Sequence, residues 1–183
     1  MEEQLKIDFD KVIQNVKPSK KNIEVRKKNL NEFIKKGFPN KRIEDWKFSD
    51  FNQIITSNIK ELKFFNNETK PDEFDQSTLV NNFDHNKIIF VNGLISKVDF
   101  NYEEKSKIEI IDTQETEDLN SKNSLVSLNN ALKFNYIKLT IKENYSLNKP
   151  LIIYNITNNK LNSNTINQRI DFVLKKNSSL KLI

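Results

Sequence analysis

Hydrophobic positions recur along this chain with two different periods, and the change between them divides it. Over residues 3–16, Leu5, Phe9, Val12, Ile13 and Val16 fall three and four apart, the spacing of an amphipathic helix that Lys17-Pro18-Ser19 ends. A second stripe, Ile23, Leu30, Phe33 and Ile34, runs through residues 20–36, with Arg26, Lys27 and Lys28 expected on the solvated face. Gly37 follows where a left-handed C-cap glycine is wanted, and Pro39 keeps the helix from resuming. Phe51, Ile54 and Ile55 predict one more short helix, capped by Ser49 or Asp50. Residues 66–86 are polar, with one helical turn expected around Phe74.

From Ile88 the period is two. Ile88-Ile89-Phe90-Val91, Asn92-Gly93 and Leu94 to Phe100 predict a hairpin with a type I′ turn. Ile108 to Ile111 reads as another strand, and residues 124–135 revert to a helix capped by Asn123 or Ser124. Strands follow at residues 136–142, at Leu151 to Tyr154, and around Ile170, Phe172 and Leu174; after the turn Asn177-Ser178-Ser179 another begins at Leu180. Short strands between polar turns predict an α+β chain leaning to mainly β. Its parts are a helical region with a Trp-containing docking segment (1–65), a polar linker (66–86) and the beginning of a β-helix or β-solenoid (87–183). Because the alternation still runs at Leu180-Lys181-Leu182-Ile183, these residues read either as a covered edge strand or, the favoured reading, as a sign that the sequence is the front part of a longer chain.

Composition removes several chemistries. With no Cys there is no disulfide, thiolate nucleophile or Cys-ligated metal. The single histidine, His85, sits in an Asn/Asp-rich turn and reads as an exposed loop residue, since a metal needs several converging ligands. Gly37 and Gly93 are the only glycines, which excludes glycine-rich phosphate loops. The pairs Glu44-Asp45, Glu103-Glu104 and Glu117-Asp118 lack apolar surroundings to raise one pKa and read as surface charge. Strand stretches 136–154 and 168–183 hold only Glu143 and Asp171, too few for a glycosidase groove. No catalytic, cofactor-binding or metal residue is assigned, and a non-enzymatic protein is expected. Without an apolar leader or span, that protein is expected in the cytoplasm.

The net charge of +5 is segregated: residues 66–118 hold 5 Lys against 13 Asp/Glu, and residues 119–183 hold 10 Lys/Arg against 2. A basic module binding RNA or an acidic surface is thus the second reading. Against it, the lysines alternate with apolar strand positions and no aromatics are interleaved with them.

The densest punctuation lies at Gly37 to Asp50, around the only Trp. If the segment is extended, Trp46 and Phe48 point the same way, and Trp46 reads as a core aromatic anchoring a helix to a sheet. Gly37-Phe38-Pro39, Arg42 and Glu44-Asp45-Trp46-Lys47-Phe48-Ser49 resemble the N-terminal region of the SufB/SufD family of iron–sulfur cluster assembly proteins, most closely its SufD branch. Ile89-Phe90-Val91-Asn92-Gly93, Leu128-Asn129-Asn130-Ala131, Lys149-Pro150-Leu151, Arg169 and Asn177-Ser178-Ser179 follow in the order of similar family features, so the resemblance covers residues 23–183. It implies a non-catalytic scaffold that works with a SufB-like scaffold and a SufC-like ATPase through parts largely outside this sequence. The iron–sulfur cluster would be handled by the whole complex and not bound by this chain. His85 does not match the family's histidine, and no residue role carries over.

Overall fold

The computed structural model describes residues 1–59, 61–66, 70–115 and 121–183. Among the described residues four α-helices, α1 (Glu2–Val16), α2 (Lys20–Lys36), α3 (Phe51–Asn58) and α4 (Ser124–Leu132), accompany six strands. The strands are β1 (Asn86–Val91), β2 (Leu94–Asp99), β3 (Ile108–Asp112), β4 (Asn135–Ile141), β5 (Leu151–Ile156) and β6 (Gln168–Leu174). The chain divides into two compact units, neither continuous in sequence. One comprises residues 1–67, 114–134 and 162–167; the other comprises residues 68–113, 135–161 and 168–183.

The first unit is helical. Leu5, Phe9 and Val12 of α1 pack with Leu30 and Phe33 of α2, Leu128, Ala131 and Leu132 of α4, and Phe38 and Phe64. Ser19 starts α2 by accepting the Asn22 N–H at 3.3 Å. Gly37 ends it at φ 69°, ψ −168°, donating its N–H to Phe33 O at 2.7 Å. The positive φ is the expected one, but ψ is extended, a region essentially reserved for glycine. Phe38 then turns back edge-on against Phe33, with ring centroids 5.1 Å apart. The buried Asp8 fastens the chain near residue 64 to α1, accepting from Phe64 N at 2.9 Å as well as from Gln4 and Lys11.

The inner stripe of α2 is partly polar, which corrects the expected solvated position of Arg26. Asn22, Arg26, Asn29, Leu30 and Phe33 are buried together, at helical spacing. Arg26 is fully buried: Nη1 donates to the carbonyls of Ala131 (3.1 Å) and Lys133 (3.0 Å), Nη2 to that of Gln114 (2.9 Å) and Nε to Asn22 Oδ1 (3.0 Å). Its guanidinium thus satisfies carbonyls at the C-terminal end of α4, where the helix dipole favours a cation. Burial pushes its pKa down to about 10, with Glu115 acting in the opposite sense, so the group stays charged at neutral pH.

The second unit holds two three-stranded sheets, ordered β2-β1-β5 and β3-β4-β6. Ile88, Phe90, Ile137, Leu139, Ile141, Tyr145 and Leu151 form their common core. Asn92 and Gly93 both have positive φ (52° and 83°), as a type I′ turn requires, and return β2 antiparallel to β1. Each sheet combines one antiparallel pair (β1–β2, β3–β4) with one parallel pair (β1–β5, β4–β6).

This architecture overturns the expected β-helix. A solenoid stacks equivalent strands coil upon coil, whereas the strands here form two small mixed sheets in a chain that also has helices, and no stacked-strand solenoid occurs among the described residues. Alternation of apolar residues reveals strands without revealing which strands pair. The expected strand at residues 180–183 is reduced to a bridge between Leu182 and Leu151.

Glu103 also departs from expectation, being buried rather than surface charge. Its carboxylate accepts from Asn86 Nδ2 (2.7 Å), Tyr145 Oη (2.8 Å), Asn148 N (2.9 Å) and Lys149 N (3.0 Å). Burial alone would raise its pKa, but these four donors outweigh burial and hold it below the usual range. The start of β1 and the loop leading to β5 are tied together at this one side chain.

Candidate docking site

The segment from Phe38 to Asn58 is built on an aromatic relay. Phe33, Phe38, Phe51 and Trp46 touch in series, with successive centroids 5.1, 5.6 and 5.6 Å apart. Pro39 O accepts Asn52 N–H at 3.1 Å, closing the loop at its base. Asp50 Oδ1 accepts Gln53 N–H at 2.9 Å and starts α3, as the sequence predicts.

Between these anchors the chain is not extended. Glu44–Trp46 form a 3-10 turn, with Trp46 N–H donating to Ile43 O at 2.8 Å and Ser49 N–H to Trp46 O at 2.8 Å. At three residues per turn, side chains two apart diverge instead of aligning. Trp46 therefore packs half-buried on Phe51, whereas Phe48 is 90% exposed, with the Lys47 ammonium 5.2 Å from its ring centroid. The α3 helix buries no residue fully, and Ile43 and Ile54 are also exposed.

Beside this corner lies a cleft of about 630 Å³ whose lining includes Pro39, Ile43 and Trp46 as apolar floor and Lys36, Arg42 and Lys122 as cations. Asp45 also lines it, and Lys36 is shared with Glu32 at 3.3 Å. An apolar floor under a mainly cationic rim suits recognition of an amphipathic partner carrying negative charge.

The other residues singled out in the sequence have structural roles. His85 is buried, not an exposed loop residue. Its Nδ1 lies 2.9 Å from Phe83 O and so carries the proton, leaving Nε2 to accept from Tyr154 Oη at 2.9 Å. That hydroxyl accepts Val80 N–H at 3.2 Å, so the ring holds the polar loop against β5. Arg169 forks onto Asp171 through two 2.7 Å bonds and lies over the Tyr136 ring. Glu44 and Asp45 are exposed, as are Lys27 and Lys28. Glu117 and Asp118 lie outside the described residues. Among the described residues no cluster of His, Cys, Asp or Glu is arranged for a metal ion, and no helix is long and apolar enough to cross a membrane.

The burial of Arg26, His85 and Glu103 is what sequence reasoning missed. The one local signal was for Arg26, which falls four residues from Asn22 and from Leu30 on the same stripe. No family model matches the chain, and no curated protein matches it.

Proposed function

We propose that this chain is a non-catalytic scaffold subunit of the SufD type, which serves iron–sulfur cluster assembly by binding protein partners. The exposed corner at Trp46 to Ile54 carries this reading. A phenylalanine left in water forgoes roughly 1.5–3 kcal/mol of burial, and Phe48 is held there by an ordered turn between two anchors. A partner that covers Phe48, Ile43 and Ile54 accounts for that arrangement.

The order of motifs from Gly37 to Ser179 supports the finer assignment. On this reading the partners are a SufB-like scaffold and a SufC-like ATPase, the cluster is cargo of the assembled complex, and the protein works in the cytoplasm. Native mass spectrometry of the protein purified from its host through an N-terminal tag tests it. SufB- and SufC-like chains are expected to travel with the wild type, and Phe48→Ser is expected to lose at least one of them while keeping its thermal transition. A wild-type protein that carries neither partner sinks the proposal.

A further inference from the structure

One end of the β3-β4-β6 sheet gathers cations in a way that alternation along single strands conceals. Ile108 faces Ile141 across the antiparallel pair, and Ile141 lies beside Leu174 across the parallel pair. The next residue outward on each strand is a lysine: Lys107, Lys142 and Lys175. Their backbones are fixed side by side, Lys142 N–H donating to Lys107 O at 2.9 Å and Lys175 N–H to Ile141 O at 3.1 Å. Adjacent strands stand about 4.8 Å apart, so three ammonium stems leave the sheet within about 10 Å. Together with Ser106 and Glu143 they line an open cleft of about 510 Å³.

None of these three lysines pairs with a carboxylate among the described residues. Three like charges on neighbouring strand ends repel one another, and the single Glu143 leaves the cleft with a net positive charge. A compact anion of high charge density relieves that repulsion. Lysine binds phosphate as a point charge, and the Ser106 hydroxyl can donate to a phosphate oxygen. An RNA strand is a poorer match, because the cleft is lined by Ser106, Lys107, Lys142, Glu143 and Lys175, without an aromatic on which a base could stack.

We infer that this sheet end is an oligophosphate site, taking the phosphate chain of a nucleoside triphosphate or of an inorganic polyphosphate. This goes beyond the scaffold reading and does not depend on it. Isothermal titration calorimetry of the full chain with sodium tripolyphosphate, with ATP and with single-stranded oligouridylate tests it. The comparison is between wild type, Lys107→Ala/Lys142→Ala/Lys175→Ala and a charge-matched control, Lys21→Ala/Lys27→Ala/Lys35→Ala, all exposed or half-exposed positions.

Tripolyphosphate is expected to bind the wild type, weaken with added salt, lose about tenfold or more in the sheet-end variant and change little in the control. ATP binding as tightly as tripolyphosphate makes a nucleotide the source; tripolyphosphate binding alone makes it inorganic polyphosphate, and the proposal stands in both cases. It is overturned by absent tripolyphosphate binding, by equal losses in both triple variants, or by oligouridylate binding the sheet-end lysines more tightly. Matching circular dichroism spectra of the three proteins secure the comparison.

Discussion

Arg26 and Glu103 are two charges kept inside by the same means, protein dipoles standing where water would be. Three carbonyls and an amide oxygen surround the guanidinium, and two backbone N–H groups, an amide and a phenol surround the carboxylate. Removing either leaves its partners buried without a counterpart. Arg26→Met is expected to destabilise the first unit by about 3 kcal/mol, read by urea unfolding followed through the fluorescence of Trp46, the only tryptophan. Glu103→Gln keeps the shape but sets an amide NH₂ among groups that already donate, and should cost about 1–3 kcal/mol. The carboxylate also gives a pH dependence. Its folded pKa lies below its unfolded value of about 4.3, so its contribution is complete above that value and is lost as pH falls through the lowered folded pKa. Asp8, whose burial is likewise outweighed by its hydrogen bonds, behaves in the same way below about 3.9. Acid titrations monitored by circular dichroism should show Glu103→Gln less sensitive than wild type in this window. Apart from the spacing of Arg26 to Asn22 and Leu30, little of these environments was legible locally: the carbonyls that accept from Arg26 arrive from residues 114, 131 and 133. In a window of ten residues, Arg26-Lys27-Lys28 looks like any solvated basic run.

Elements were more readable than their partners. Ser19, Asp50 and Asn123 each accept a backbone N–H at a helix start, and Asn92-Gly93 turns the hairpin as its residue types demand. These signals act within a few residues, so the sequence carries them. Gly37 offers a clean measure of one. A methyl group there meets nothing within 4 Å, so Gly37→Ala pays only for its backbone conformation. A loss of about 1–3 kcal/mol is expected, measured as a lowered urea midpoint with unchanged slope. Asn123→Ala should cost about 1 kcal/mol through α4. Pairing behaves differently. The parallel β4–β6 ladder joins residues more than thirty apart, and the same alternating strands fit a solenoid or two mixed sheets equally well. The docking segment failed for a subtler reason, because a 3-10 turn of three residues leaves no periodic trace, and its presence sends Trp46 and Phe48 in different directions.

At the scale of the whole molecule, sequence order and spatial grouping part company. Residues 114–134 and 162–167 lie within the stretch 87–183 that the sequence assigns to one β-rich domain, yet they complete the helical unit. Chain cut after residue 113 should therefore fail to give a cooperative first unit, since Leu128, Ala131 and Leu132 are missing from its core and Arg26 loses every carbonyl it serves. The expected result is a broad, non-cooperative thermal transition by circular dichroism; a sharp two-state melt would contradict it. The same arrangement governs how the protein is made. Residues 37–123 separate α2 from α4, so α4 follows α1 and α2 out of the ribosome after an interval of about 4–17 s at ordinary elongation rates. Throughout it Phe9, Leu30 and Phe33 lack part of their cover, so the nascent helices should be clients of chaperones that hold apolar segments at the tunnel exit, and slowing translation between residues 40 and 130 should lengthen that dependence.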